Sequence, residues 1–120
     1  MSLKRFGRAF VRVNGQLLES EPGAECDTGG VTRSPRASDT GTVGFSEETR
    51  HGTVTCKILF KPGQVLGSLK DADDATVTFE CDTGQRYVGS QWWCTGETRL
   101  AGGSSGGVQV EFHGPEMEES

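Results

Sequence analysis

Apolar and polar residues alternate along several stretches of the chain with the two-residue period of a β-strand. In TVTCKILFK, residues Val54, Cys56, Ile58 and Phe60 share one face. In ATVTFEC the row is Val77, Phe79 and Cys81. In VQVEFHG it is Val108, Val110 and Phe112, with Gln109, Glu111 and His113 on the other side. GRAFVRVNGQLLES places Asn14-Gly15 between two apolar segments. Asn-Gly tolerates positive φ at both residues, as a type I′ turn requires, so this stretch predicts a hairpin.

The intervening segments are less regular. AECDTGG, residues 24–30, predicts a short strand. From Val31 to Gly44 the chain reads VTRSPRASDTGTVG, polar and without a period. This is a long loop or an extended, partly disordered arm, and such segments tend to be functional or to order on binding. Phe45–Glu48 leads into the TRHGTVTCKILFK strand, which Pro62-Gly63 closes. Val65, Leu66 and Leu69 have helical spacing and predict a helix of about two turns. QRYVGSQWWC reads as the hairpin partner of ATVTFEC, TGETRLAGGSSGG as a loop, and PEMEES as an acidic tail.

The sum is six or seven strands, one short flanking α-helix and no βαβ alternation. That predicts a mainly β chain, an antiparallel β-sandwich or partly closed β-barrel. We expect one domain over residues 1–115, with the polar arm at 31–44 and a flexible acidic tail at 116–120.

Composition adds one idea. Only 32% of the 120 residues are hydrophobic and 18 are glycine. So modest a core suits a subunit completed by its neighbours. The net charge of −5 argues against a protein that coats nucleic acid. No apolar run approaches the roughly 20 residues of a membrane helix. MSLKRFGRAF has no apolar stretch behind its charges, so a secretory signal is not expected and the chain should remain in the cytoplasm.

The motif that invites chemistry is ECDTG, at Glu25–Gly29 and again at Glu80–Gly84. Two Asp-Thr-Gly aspartates sharing a proton make an acid protease dyad, and Asp27 and Asp82 would be the pair. A third copy, Asp39-Thr40-Gly41, lies in the polar arm with no strand before it, and a Glu precedes each ECDTG aspartate by two residues. Turn chemistry explains all three better. Asp caps a backbone N–H two residues on, and Gly takes positive φ. No catalytic residues are assigned.

Cys26, Cys56, Cys81 and Cys94 have no CxxC spacing, and His51 and His113 form no metal motif. Neither metal nor cofactor is expected. Free buried thiols are favoured over disulfides. Trp92 and Trp93 are adjacent, so on a strand one faces the core and the other faces outward. An outward Trp is either an interface anchor or covered by a loop.

The order of these motifs resembles the tail tube proteins of Mu-like contractile-tailed bacteriophages and prophages. The resemblance rests on VRVNGQLLE, GFSEETRHGTVTCKI, SLKDADDATVTFECDTGQRYV, the QWW segment and GGVQVEFHG, and covers most of residues 6–114. It implies a non-enzymatic virion protein forming stacked, hexameric rings through which DNA passes. The implied partners are copies of itself, the tail sheath, the tape-measure protein, and terminator or baseplate hub proteins. Assembly would take place in the host bacterial cytoplasm, with no membrane insertion. Arg33, Arg36, Asp39, Phe45, Glu47, Trp92 and Trp93 are the candidate interface residues. The alternative is a related tube or tail-completion subunit of a secretion-system type.

Overall fold

The computed structural model describes residues 3–59, 67, 71–96, 98–102 and 107–119. The expected helix, around residues 64–71, lies almost wholly outside them. Among the described residues the chain forms β1 (Ala9–Val13), β2 (Gln16–Leu18), β3 (Glu25–Asp27), β4 (Gly30–Ala37), β5 (Val43–Arg50) and β6 (Gly52–Ile58). It continues with β7 (Ala75–Cys81), β8 (Arg86–Cys94), β9 (Arg99–Ala101), β10 (Gly107–Gly114) and β11 (Glu118–Glu119). Every pairing is antiparallel.

The hydrogen-bonded path runs β2-β1-β7-β8-β10-β6-β3, with β11 added to β8 and β9 to β10. Its two halves share β8. Tyr87 and Val88 pair with β7 and β11, whereas Trp93 and Cys94 pair with β10. Trp92 still pairs with Ala75 of β7 across a register break, and within that break Gln91 holds a φ of 60°. A bridge from Ser20 to Ile58 joins the segment after β2 to β6, so the path curls towards itself without closing.

The alternating rows form the core. Val54, Cys56 and Ile58 of β6, Val77, Phe79 and Cys81 of β7, and Val108, Val110 and Phe112 of β10 are all buried. Trp92 and Phe112 are its largest fully buried side chains. Trp92 lies in a slot made by Gly52, Gly89 and Gly114, where a Cβ on any of the three would run into the indole. Asn14 and Gly15 take φ of 53° and 82°, as the β1–β2 turn requires.

Three expectations need correction. Residues 31–44 are not an irregular loop; with Phe45–Arg50 they build a separate two-stranded sheet, β4-β5. The loop after Cys94 contains β9, which pairs with β10. The acidic tail is tied down: Met117 is buried, its N–H donates to the Thr28 carbonyl at 2.8 Å, and Glu118–Glu119 pair with Val88 and Tyr87. One apolar residue among four acidic or small ones left no period to read.

The three Asp-Thr-Gly segments are turns. Gly29, Gly41 and Gly84 have φ of 79°, 89° and 105°. Asp27 Oδ1 accepts the Gly29 N–H at 3.0 Å, and the Gly84 N–H donates to the Cys81 carbonyl at 3.0 Å. Asp27 also holds Arg50 at 3.1 Å, while Asp82 accepts the Gly7 N–H at 3.2 Å. Each carboxylate thus has partners of its own on a different part of the sheet path.

Candidate assembly interface

The arm is a hairpin of two eight-residue strands, in register from Gly30 opposite Arg50 to Ala37 opposite Val43. Among the described residues it is hydrogen-bonded to no other sheet. Opposed residues of an antiparallel pair share a face. One face therefore carries Val31, Arg33, Pro35 and Ala37 with Val43, Phe45, Glu47 and Thr49. The other carries Thr32, Ser34 and Arg36 with Gly44, Ser46, Glu48 and Arg50. The arm is amphipathic, and its apolar face is open: Val43 is 71% exposed and Phe45 61%.

Local chemistry builds the arm from both ends. At the tip, the Ser38 N–H donates to the Thr42 carbonyl at 2.9 Å, and the Ser38 hydroxyl accepts the Thr42 N–H at 3.2 Å. At the base, a Cβ on Gly29 would lie 2.8 Å from the Gly52 nitrogen. Only glycine lets the two strands leave the sandwich this close together. Arg50 clamps the base by binding Asp27 and donating to the Thr32 hydroxyl at 3.3 Å.

The sequence-predicted residues fall in three places. Arg33 lies over Phe45, 5.3 Å from the ring centroid, and bridges Glu47 at 3.4 Å. The exposed ion pair contributes under about 1 kcal/mol. Arg36 is on the polar face and Asp39 at the tip, both exposed. Trp93 is 44% exposed, opposite His113 in the β8–β10 pairing, whereas Trp92 is wholly interior and offers nothing to a neighbouring subunit. His113 in turn lies 4.9 Å from His51 between ring centroids and bonds Glu111 at 2.9 Å.

Sequence reading missed a second apolar surface. Phe6, Phe10, Leu17 and Leu59 are exposed and line one groove. A signal was present: Phe10 and Leu17 sit beside buried Val11 and Leu18, so strand alternation turns them outward.

On the outward face of β1, β7 and β8, Glu80 is held by Arg12 and Arg86, each at 3.2 Å. The Arg12 hydrogen bond, then that of Arg86, holds its carboxyl below the usual range. All four cysteines are free thiols. Burial pushes Cys26 up to about 11 and Cys56 up to about 12. Among the described residues no group of three or more His, Cys, Asp or Glu side chains is placed to hold a metal, and no helix is long and apolar enough to cross a membrane.

The family profile described as "Phage tail tube protein" matches residues 2–119. The chain belongs to the phage tail tube protein family. The tail tube protein of Escherichia phage Mu is 34% identical over 100 residues, covering 83% of this chain and 84% of that one. These tail tube relationships give the chain a structural role in a phage tail. The fold is also that of contractile injection systems. The tube-terminating cap of the anti-feeding prophage aligns over 94% of this chain and 87% of its own, with a TM-score of 0.70 and 11% identity. A chain of the PVC sheath-tube complex in its extended state aligns over 94% and 88%, with a TM-score of 0.69 and 12% identity. At such identities the likeness is one of fold.

Proposed function

We propose that this tail tube subunit assembles into six-membered rings that stack into the inner tube of a contractile tail, and that DNA passes down the lumen. The observation that carries this reading is the amphipathic hairpin arm, whose apolar face the other described residues leave open. Such a face is stabilised by burial against another copy. The modest core has the same meaning. The net charge of −5 suits a channel to which DNA does not adhere.

In this reading the protein has no catalytic activity and needs no cofactor. Its partners are its own copies, the sheath outside, the tape-measure protein within, and terminator and baseplate hub proteins at the ends. Assembly occurs in the host bacterial cytoplasm, and the product is part of the virion. Arg33, Arg36, Asp39, Phe45, Glu47 and Trp93 are the side chains offered to neighbours. Negative-stain electron microscopy of concentrated protein tests the proposal, with rings or hollow tubes as the expected result. A strictly monomeric protein, even when mixed with its sheath protein, would overturn it.

One observation favours a second reading. The likeness to a tube-terminating cap is as close in fold as the likeness to a chain of a sheath-tube complex. A protein that caps preformed tubes and never elongates would support that reading.

A further inference from the structure

Three sulfur side chains from distant segments gather beside β3, the last strand of the sheet path. Cys26 stands opposite fully buried Val54 in the β3–β6 pairing, and opposed residues share a face, so its thiol points between the two halves of the sandwich. Cys81 ends the buried row of β7. Met117 is placed by its own N–H, which donates to the Thr28 carbonyl just beyond β3. Its thioether sulfur then lies 3.5 Å from the Cys26 sulfur.

Cys26 and Cys81 line one cavity of about 540 Å³, together with Phe6 and Tyr87. Protein interiors leave few voids larger than a water molecule. These two thiols therefore border open space, where an ordinary core residue would be enclosed. Burial does most to raise the Cys26 thiol, followed by the charges of Asp27 and Cys81. Cys81 is thus near enough to act on Cys26 through space.

We propose that Cys26, Cys81 and Met117 form a binding site for a soft monovalent metal ion, copper(I) in its chemistry. The site stands apart from the tail tube reading and does not depend on it. On binding, each thiol gives its proton to solvent. The two thiolates and the neutral thioether each donate an electron pair, and no electron changes hands. Two thiolates and one copper(I) ion leave a single negative charge, and Lys4 and Arg5 line the same cavity to offset it. The ligand set selects the ion. Thiolate and thioether sulfur suit soft ions, whereas carboxylate and carbonyl oxygen suit magnesium and calcium. Structural zinc takes four ligands, and this cluster offers three. Because the third sulfur belongs to a methionine, the cluster is not one of His, Cys, Asp and Glu, of which the described residues hold none fit for a metal. His113 is adjacent to buried Phe112 on β10, so it faces the other side of the sheet.

Anaerobic titration with copper(I) against the chromophoric chelator bicinchoninate tests the site. One copper(I) per chain is expected, with a sulfur-only ligand shell in X-ray absorption. Cys26→Ser and Met117→Leu should each bind about tenfold more weakly or worse. Met117→Leu conserves apolar volume, so its thermal midpoint without copper should match that of the unmodified protein. Should Cys26→Ser fail to fold, Met117→Leu alone decides. Cys94→Ala, which removes a thiol outside the cluster, should bind as the unmodified chain does. Copper(I) should also raise the thermal midpoint of the unmodified chain more than that of Met117→Leu. A chain that yields all its copper to the chelator overturns the inference. So does a ligand shell containing imidazole nitrogen, or equal affinity in Cys26→Ser, Met117→Leu and the unmodified protein. Tube formation enters none of these readouts, so their failure leaves the tube reading standing.

Discussion

The indole Nε1 of Trp92 donates a hydrogen bond to the carbonyl of Pro115 at 3.0 Å, tying the strand shared by both halves of the sandwich to the segment after β10. The ring has room only because Gly52, Gly89 and Gly114 lack side chains. Gly114→Ala should therefore destabilise the fold by about 1–3 kcal/mol through overpacking. Trp92→Ala should cost about 3–5 kcal/mol. Urea unfolding followed by circular dichroism measures both, and a neutral Gly114→Ala would show that the slot relaxes freely.

Gln91 occupies the left-handed region in the irregular part of the β7–β8 pairing, just before β8 turns to β10. That conformation costs an ordinary residue about 1–2 kcal/mol. Gln91→Gly should be neutral or stabilising in thermal denaturation, and Gln91→Val should lower the midpoint.

Glu80 gives the acid limb of stability a sign. Its carboxyl is depressed in the folded state by Arg12 and Arg86. The contribution is therefore present above the unfolded value of about 4.3 and is lost as pH falls through the lower folded value. Glu80→Gln should therefore lower the thermal midpoint at pH 7 and converge with the unmodified protein as pH falls below about 4.3.

The thiols give the alkaline limb. Cys26 and Cys56 are raised to about 11 and about 12, chiefly by burial. Their contribution is complete below the unfolded value of about 8.5 and is lost as pH rises towards the folded values. The thermal midpoint should fall above that pH, less so in Cys56→Ala. Iodoacetamide at pH 8 should spare both thiols until the chain is unfolded in urea, as mass spectrometry would report.

Deleting Ser34–Gly41 should spare the fold, because the arm pairs with no other sheet. The shortened chain should keep its far-ultraviolet spectrum and cooperative melt yet form no tubes in the electron microscope. Loss of the melt would mean that the arm supports the core.

Strands with one buried face were legible in the sequence. β6, β7 and β10 each wrote their burial as a clean two-residue alternation, and Asn14-Gly15 announced the first turn. The arm was not legible, because its faces bury nothing within the chain. Arg33 and Glu47 interrupt its apolar side, and Pro35 resembles a loop residue. β9 and β11, at three and two residues, are too short to show a period. Of the candidate interface, the arm residues and the division between Trp92 and Trp93 could be read locally. The Phe6–Phe10–Leu17–Leu59 groove could not, since it gathers side chains from segments separated by up to half the chain.

Pro35 sits midway along β4, whose only bonded neighbour among the described residues is β5. Its missing N–H therefore falls on the flank that faces solvent. The hairpin is a long exposed ribbon, the kind of surface on which chains stick to one another in disordered stacks. The gap in the donor row interrupts any continuous ladder along that flank. A strand edge with such a gap is a poor template for a further strand, so it disfavours pairing of copies edge to edge.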